Sequence, residues 1–492
     1  MKTRIVSLTL FLSVLLTSFA SCQNPDDEIN EIAADTAAED TETVPETTIY
    51  DVLQPKDYDG YTFRILNNNS NAAYINIGEN GLTGETLDDA MYNRNLRVAE
   101  DLNIAFQIEN RDYADTRDTI AMLIPANDDV YDMYTLDLSI MGQHALNGFL
   151  WNTNDIDAID IRNPWWNKTA IDSVTICDYA YPLFGDLHVG FYEVFYPAVF
   201  NKSMVEDLNL PDPYQLVKEG TWTLDAMLGM MEAAKADMDG DGKWTVADRY
   251  PFTMYQDNGS ICLLHTSNTS VFAINEDNIP VWEGLNERFL ATYEKLAATA
   301  FSVKHNNANH ASGDINVMGL EKHRAMMVDG KALFMFEPLG VVKHLRDVDF
   351  GVGIVPLPKY DEAQKEYRTY VFIAANAIAI PITNPDAERT GVILEHMAAY
   401  SHETVREVYF NKTLDFKYAQ DPEAQEMLDI MFAGGTFELG YVYGWGGIVK
   451  KIMQNLNEGK TELASQVQAL VTAAETDIEA MVDKFTELKE NQ

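Results

Sequence analysis

From about residue 60 the chain alternates short apolar segments with segments of helical periodicity. Strands are predicted at residues 61–66, 104–108, 130–136, 194–200, 332–336, 350–356 and 370–380. Between the first two strands, apolar residues recur at helical spacing and predict a helix over residues 85–102. Because each intervening helix returns the chain to the same end of the sheet, we expect mostly parallel strands in an α/β fold.

Two further helices are predicted in the last quarter of the chain. Asn384 and Pro385 have the residue types of a helix cap and a first turn. From Leu463 to Leu488, apolar residues recur every three or four positions, which predicts a long amphipathic packing helix. A chain of 492 residues should form two or three domains, and the grouping of the strands suggests two lobes with more than one crossing.

Composition excludes several classes of protein. Hydrophobic residues make up 46% of the chain, which is enough for more than one core and excludes global disorder. The formal net charge of −42 disfavours nucleic acid and anionic membranes, so neutral or cationic small solutes fit better. Cys177 and Cys262 either form a disulfide or remain two buried thiols, and we favour free thiols.

The N-terminus predicts export and a lipid anchor. Lys2 and Arg4 precede an apolar run over residues 5–19, which is the pattern of a signal peptide over residues 1–21. The sequence Phe-Ala-Ser-Cys that ends at Cys22 resembles a bacterial lipobox, in which the cysteine is lipidated and becomes the new N-terminus. Simple secretion, with Cys22 as an ordinary residue, is the alternative.

Residues 22–50 form a predicted disordered linker. Residues 23–50 contain nine Asp and Glu residues and no Lys or Arg, so this segment is self-repelling and has little apolar surface to bury. The chain after the linker has no apolar stretch long enough to span a membrane. We therefore expect a folded body at the extracellular face of the cell envelope, held to the membrane by a lipid on Cys22.

An acidic loop at residues 237–248 has the spacing of a calcium-binding loop. The predicted ligands at positions 1, 3, 5, 7 and 12 are Asp237, Asp239, Asp241, Lys243 and Asp248. Gly242 stands at position 6, where such loops turn sharply. Because residues 249–252 do not resemble an exiting helix, we expect a structural Ca²⁺ site and not a sensor. A solvated acidic turn without metal is the alternative.

Catalytic signatures are missing from the sequence. The chain has no G-x-S-x-G, no H-E-x-x-H and no Walker loop, and its nine His residues show no metal-ligand spacing. With 77 acidic residues, a pair of carboxylates chosen by separation alone carries no weight. We therefore expect a binding protein and not an enzyme.

Two features predict a binding site for sugars. Five aromatic residues lie near turns or strand ends and are candidate platforms for a sugar: Trp165, Trp166, Tyr255, Trp282 and Trp445. The glycines beside Trp445 are expected to leave its indole face open to the C–H face of a sugar ring. Asn67, Asn68 and Ser70 follow the first strand, at the edge where α/β sheets bind ligands. The alternatives are aromatic core residues and an Asn-rich turn.

Several stretches, in their order along the chain, resemble the extracellular solute-binding proteins of ABC importers, specifically the sugar-binding group that includes maltose-binding protein. The resemblance covers roughly residues 60–490. Its landmarks are residues 84–95 (GETLDDAMYNRN), 164–167 (PWWN), 201–202 (NK), 220–225 (GTWTLD), 330–338 (GKALFMFEP), 351–358 (GVGIVPLP) and 384–385 (NP).

The resemblance implies a two-lobed fold of the type II periplasmic-binding-protein (Venus-flytrap) kind. It places lobe 1 at residues 51–183 and 352–405, and lobe 2 at residues 184–351 and 406–492. The chain would cross between the lobes near residues 181–199 and 350–357. A ligand would close the cleft between the lobes, and a monomeric protein would deliver it to the permease subunits of the transporter.

The resemblance also assigns ligand-binding positions. By position they are Asn67, Asn68 and Ser70 in the first ligand loop, Asp137 after the third strand, Asp186 on the hinge side, Tyr255 in the second lobe and Trp445 near the C-terminus. Leu339 replaces a Trp that is common in maltose binders, which argues against a maltodextrin ligand. The nearby Glu337 would instead form a hydrogen bond to a sugar or pair with a cationic group.

Three classes of function remain, of which a transport receptor for an oligosaccharide is favoured. A surface carbohydrate-active enzyme is second, and an adhesion or sensory lipoprotein is third. Within the transport class, a peptide, a polyamine or another solute is the alternative to a sugar, because Asp137, Asp186 and Glu337 are candidate acids for a cationic ligand.

Overall fold

The computed structural model describes residues 53, 56–69, 82–265, 268–303, 306–317, 319–410 and 422–491. The predicted signal peptide, Cys22, the acidic linker and Ser70 lie outside the described residues. Within these ranges, no helix is both long enough and apolar enough to cross a membrane.

The described strands form two four-stranded sheets and two short two-stranded pairs. In chain order they are β1 Tyr61–Asn68, β2 Ile104–Arg111, β3 Met133–Asp137, β4 Ala198–Asn201, β5 Tyr250–Met254, β6 Phe272–Ile274, β7 Pro280–Trp282, β8 Ala332–Phe336, β9 Val352–Val355, β10 Thr369–Tyr370, β11 Asn376–Ala379 and β12 Gly435–Thr436. The first sheet has the strand order β11-β3-β1-β2 and the second has the order β5-β8-β4-β9. The two pairs are β10-β12 and β6-β7.

Helices cover both sheets, and polar residues cap many of them. They are α1 Thr86–Leu102, α2 Tyr113–Leu123, α3 Leu138–Leu146, α4 Lys168–Asp172, α5 Lys202–Asp207, α6 Pro213–Lys218, α7 Leu224–Ala234, α8 Gln256–His265, α9 Glu287–Ala298, α10 Lys322–Val328, α11 Ala387–Tyr400, α12 Arg406–Val408, α13 Pro422–Ala433, α14 Leu439–Val442, α15 Ile448–Asn457 and α16 Ala464–Asn491. The side chains of Asp112, Asn167, Asn201 and Asn286 each accept a first-turn backbone N–H, which satisfies a donor that the helix itself leaves free.

The first sheet brings three strand ends to one edge. Strand β1 pairs in parallel with β2 on one side and with β3 on the other. Strand β11 runs antiparallel to β3, with Asn376 directly opposite Asp137. The carboxyl ends of β1 and β3 therefore meet the amino end of β11 at a single edge, which carries Asn68, Asp137 and Asn376.

The second sheet has a matching edge. Strands β5 and β8 are parallel, with Met254 opposite Phe336, so the residues that follow them, Tyr255 and Glu337, leave the sheet side by side. Strand β4 is antiparallel to both of its neighbours, β8 and β9. It is the strand by which the chain enters this sheet after it leaves the first.

Two segments connect the sheets and run antiparallel beside each other. Leu183 forms a bridge with Ile378, and Phe195 forms one with Val371. Between these bridges, the Phe372 N–H donates to the carbonyl of Val194 at 3.0 Å. We call residues 183–196 and 370–378 the crossing segments.

The second crossing and two element boundaries differ from the predictions. Strand Val352–Val355 pairs with β4 inside the second sheet. The predicted lobe boundary at residue 352 had assigned this strand to lobe 1. The second crossing therefore comes after this strand and does not coincide with it. The strand predicted over 370–380 is divided, because β10 pairs with β12 and β11 joins the first sheet. Helix α11 is capped by Asp386 and not by Asn384, which is buried and donates to the Thr390 hydroxyl at 2.6 Å.

Buried aromatic rings and one acid hold the first lobe together. The indole N–H groups of Trp165 and Trp166 donate to the two carboxylate oxygens of Glu395 at 2.6 and 2.7 Å. Burial raises the pKa of Glu395, and these indole donors oppose that shift. These two tryptophans are therefore structural residues and not ligand platforms.

The C-terminal helix and the cysteines agree with the sequence. In α16, Phe485 stacks on Tyr179 with ring centroids 5.1 Å apart, which is the packing role expected of this helix. Cys177 and Cys262 are both buried free thiols.

Candidate functional site

The edge of the first sheet carries a cluster of hydrogen-bonded amides. Asn68 is fully buried, and its Nδ2 donates to Asn376 Oδ1 at 2.8 Å and to Asp137 Oδ1 at 3.3 Å. The Thr135 hydroxyl donates to Asn67 Oδ1 at 2.9 Å. The structure thus brings together the predicted residues Asn67, Asn68 and Asp137, and it adds Asn376 to them.

Asp137 is the one ionisable group of this amide cluster. Burial raises the pKa of its carboxyl to about 7, and the hydrogen bond from Asn68 opposes only part of that rise. Near neutral pH the group is therefore present in both its protonated and its ionised form, and it carries only part of a negative charge.

The edge of the second sheet carries a charged cluster. Glu337 is fully buried, and its Oε2 accepts from Arg324 Nη2 at 3.3 Å. Its Oε1 lies 2.6 Å from His323 Nε2, which is an ion-pair distance, although the angles are not those of a hydrogen bond. The ring of Tyr255, 36% exposed, lies 5.9 Å from the ring of His323. Glu337 is therefore paired with the guanidinium of Arg324 and lies against the ring of His323.

A cavity of about 440 Å³ lies against the crossing segments, between the two edges. Its wall includes Glu193 from the first crossing segment, Phe372 and Asn376 from the second, and Arg324, Lys343 and His344 from the second lobe. This volume is within the range of small-molecule sites. The cavity contacts both sheets. In its wall, Asn376 is the first residue of β11 in the first sheet. Arg324, also in the wall, pairs with Glu337, which follows β8 in the second sheet.

Asp186 belongs to the first crossing segment, but its carboxylate is occupied. The hydroxyl of Tyr192 donates to it at 2.7 Å, His402 Nδ1 lies at 2.5 Å and Arg406 Nε lies at 3.4 Å. The Asp186 side chain is 1% exposed and is not part of the cavity wall. The predicted hinge-side acid thus ties the crossing to the π-helical turn Ser401–Val405.

Trp445 does not have the open indole face that the sequence suggested. It is 1% exposed, stacked on Tyr443 at 5.3 Å and packed edge-on against Phe272 at 5.0 Å. The neighbouring Gly446 has φ of 55°, and a Cβ there would lie 2.7 Å from the carbonyl oxygen of Leu470. The glycines therefore allow a left-handed turn against α16, and they do not expose the ring.

Sequence reasoning missed most of the cavity wall. Asn376 had a signal, because it is a polar residue inside the apolar run over residues 370–380. Arg324 lies in the short helix α10 without any motif, and Lys343 and His344 lie in the 3-10 turn Leu339–Leu345. Arg324 meets Lys343 and His344 only through the tertiary fold, so local patterns could not identify this group.

The acidic loop brings together some of its predicted calcium ligands. Carboxylate oxygens of Asp237, Asp239 and Asp248 all lie within 4.8 Å of one another. Asp241 is outside this group, and it accepts from the backbone N–H of Lys243 at 2.7 Å and from its Nζ at 3.2 Å. The three clustered carboxylates also accept backbone N–H groups of the loop. Strand β5 follows the loop, as expected for a loop without an exiting helix. Hard oxygen donors in this arrangement suit Ca²⁺.

Comparison with solved structures identifies the fold. A cyclo/maltodextrin-binding protein complexed with maltotetraose matches with a TM-score of 0.54 and 12% identity, over 86% of this chain and 97% of that one. An ABC substrate-binding protein from Listeria monocytogenes in complex with cycloalternan matches with a TM-score of 0.51 and 12% identity, over 87% of this chain and 100% of that one. A maltose/maltodextrin-binding domain from Bdellovibrio bacteriovorus bound to maltotriose matches with a TM-score of 0.51 and 10% identity, over 85% of this chain and 100% of that one.

No protein-family model and no curated protein sequence matches the chain. The structural matches extend over most of the chain, and at this level of identity they establish the fold alone. The two-lobed α/β fold predicted from the sequence is thereby confirmed.

The raised pKa of Asp137 predicts a specific pH dependence of stability. Because the folded-state pKa is about 7 and the ordinary value is 3.8, the folded protein binds the extra proton between these values and loses stability as pH rises through this window. In the Asp137→Asn variant this loss is absent. Between about pH 5 and about pH 8, the free energy of unfolding should therefore fall by about 1 to 3 kcal/mol less in the variant than in wild type. Urea unfolding at both pH values measures this difference. Asp118→Asn, at an exposed position on α2, is the control, and equal pH dependence in all three proteins would contradict the prediction.

Burial of Trp445 predicts a structural role. Trp445→Ala should lower the free energy of unfolding by about 3 to 5 kcal/mol, because it leaves a large cavity beside Tyr443 and Phe272. Tyr255→Ala, which truncates a ring that is already partly exposed, should cost about 1 kcal/mol or less. Urea unfolding followed by far-UV circular dichroism compares the two variants, and a similar small loss for both would show that the indole is not packed as described.

Proposed function

We propose that this protein is the substrate-binding lipoprotein of an ABC transporter, which captures an extracellular oligosaccharide between its lobes and delivers it to the permease subunits. The observation that carries the proposal is the cavity of about 440 Å³ against the crossing segments. A ligand in this place contacts groups from both sheets at once. Binding would therefore stabilise the closed arrangement more than the open one, as a hinge-closing receptor requires.

The cavity wall has the groups that a sugar needs. The ring of Phe372 offers an apolar face for the C–H face of a pyranose, and Asn376 and Arg324 offer hydrogen-bonding groups for hydroxyls. The solved structures with this fold that bind maltotetraose, cycloalternan and maltotriose support an oligosaccharide as the class of ligand.

The proposal includes no catalytic step. Glycoside hydrolysis uses two carboxyl groups on either side of the scissile bond. Asp186 and Glu337 are each paired with an arginine of the chain, so neither is placed for that role. In this proposal the body acts as a monomer, and the lipid on Cys22 with the acidic linker keeps it close to the permease.

A thermal-shift screen of the purified protein tests the function. Neutral and charged oligosaccharides, peptides and polyamines are added one at a time, and a ligand at a hundredfold its dissociation constant should stabilise the protein by about 2.7 kcal/mol. We expect a shift with one group of oligosaccharides, and we expect chromatography to recover the ligand uncleaved. Cleavage would favour the enzyme, and a shift with peptides or polyamines alone would replace the ligand class.

The cavity wall makes the same test specific to the site. Phe372→Ala should weaken binding of the recognised oligosaccharide about tenfold or more, because the sugar loses its apolar contact. Phe106→Ala, which truncates a half-buried ring on β2 outside the cavity wall, is the matched control and should leave affinity unchanged. Isothermal titration calorimetry measures both, and equal affinities would place the ligand elsewhere.

We also propose that the acidic loop binds a structural Ca²⁺ through Asp237, Asp239 and Asp248. Calcium should raise the melting temperature above the value in EDTA, and terbium should give luminescence sensitised by Trp244. Asp239→Asn, at an exposed position, should abolish both effects without unfolding the protein, and Asp277→Asn, at an exposed position outside the loop, should change neither. If calcium leaves the melting temperature unchanged and terbium stays dark, the loop is an acidic turn without metal.

A further inference from the structure

The cavity reverses the charge balance of the whole chain. The chain has 35 Lys and Arg residues against 77 Asp and Glu residues. In the cavity wall, the basic side chains are Arg324 and Lys343, and the acid is Glu193. Burial lowers the pKa of the two wall histidines, His188 and His344, so they add little positive charge near neutral pH. A site for a cationic ligand would show the opposite balance, so this reversal bears directly on the ligand.

Arg324 is placed to bind an anion. Its Nη2 reaches the buried Glu337 at 3.3 Å, while its Nε is buried and has no hydrogen-bond partner. The side chain is 25% exposed and forms part of the cavity wall. A guanidinium presents its donors in a planar fork that matches a carboxylate or a sulfate, so the exposed part of the Arg324 side chain can bind such a group in the cavity.

Lys343 adds a second basic side chain to this part of the cavity wall, and His344 lies beside it. His344 has a lowered pKa, first because it is partly buried and second because Arg324 and Lys343 lie close enough to disfavour its protonation. Lys343 is exposed and belongs to the same wall. An anion bound beside Arg324 would therefore lie near Lys343 and His344 as well.

Apart from Glu193 in the wall itself, the acids near the cavity oppose an anion only weakly. Asp186 is paired with His402 and Arg406, away from the cavity wall. Glu337 is fully buried behind Arg324. Asp137 contacts neutral amides at the other edge, so the wall on that side is the uncharged Asn376.

We infer that the oligosaccharide is anionic, and that Arg324 binds a carboxylate or sulfate group on it with Lys343 and His344 close by. This inference rests on the proposed function. It replaces the neutral or cationic solute that the net charge of the chain suggested, since the acids once considered for a cationic ligand are either paired or partly protonated.

A matched set of tetrasaccharides tests the inference by calorimetry on the purified protein. The anionic probes come from pectate and hyaluronan, which carry carboxylates, and from carrageenan, which carries sulfates. The neutral probes are maltotetraose, cellotetraose and the methyl ester of the pectate tetrasaccharide, which keeps the sugar skeleton and removes its charge. We expect at least one anionic probe to bind about 10- to 100-fold more tightly than every neutral probe. Its affinity should also fall as NaCl rises from about 50 mM to about 500 mM.

Charge-removing variants locate the interaction. Arg324→Gln should weaken the anionic probe about 10- to 100-fold, and Lys343→Gln should weaken it about threefold. Arg162→Gln, at an exposed position that pairs with Asp160, removes the same charge outside the cavity wall and should leave the affinity unchanged. Melting temperatures show whether Arg324→Gln still folds, and the exposed Lys343 gives a second test if it does not.

The outcomes separate the inference from the function on which it rests. Tight binding of neutral probes with equal or weaker binding of anionic ones would overturn the anionic ligand and leave the oligosaccharide receptor intact. Binding of an anionic probe that neither cavity variant weakens would also overturn the inference. If peptides or polyamines stabilise the protein and none of the oligosaccharides does, the proposed function itself fails.

Discussion

The antiparallel pairing of the two crossing segments is the interaction on which the rest of the structure depends. Leu183 pairs with Ile378 at one end and Phe195 with Val371 at the other, so both sheets are joined through one hydrogen-bonded connection. Aromatic rings support it, since Phe195 packs edge-on against Phe432 at 5.1 Å. The cavity wall takes residues from both segments, and any hinge motion must therefore change the shape of the cavity.

The buried acids around this connection serve the fold before they serve a ligand. Asp186 accepts from Tyr192 and lies against His402 and Arg406, and Glu337 lies against His323 and Arg324. A buried carboxylate without such partners would be costly, so each acid fixes the position of the basic side chains around it. Through Glu337, one guanidinium is held at the cavity while part of its donor set stays free.

The sequence predicted those parts of the site that follow from local order along the chain. Asn67, Asn68 and Asp137 come directly at or after parallel strands, so their meeting follows from the fold class alone. The prediction that Trp445 is an open platform was wrong. Glycines that allow close packing against another helix give the same local sequence pattern as glycines that expose a ring. Arg324 had no local signal at all, because its contact with Glu337 depends on how α10 packs against β8.

The net charge of the chain and the charge of its cavity act over different distances. At physiological ionic strength the Debye length is about 8 Å, so exposed acids on remote faces contribute little inside the cavity. There the nearby groups dominate, because unit charges 4 Å apart interact by about 4 kcal/mol at an effective dielectric constant of 20 and by about 1 kcal/mol in bulk water. A chain with a formal charge of −42 thus repels polyanions at its surface and still presents cations to a small ligand. Composition limits which macromolecules approach, whereas the ligand class depends on the few wall residues whose charges the fold leaves partly uncompensated.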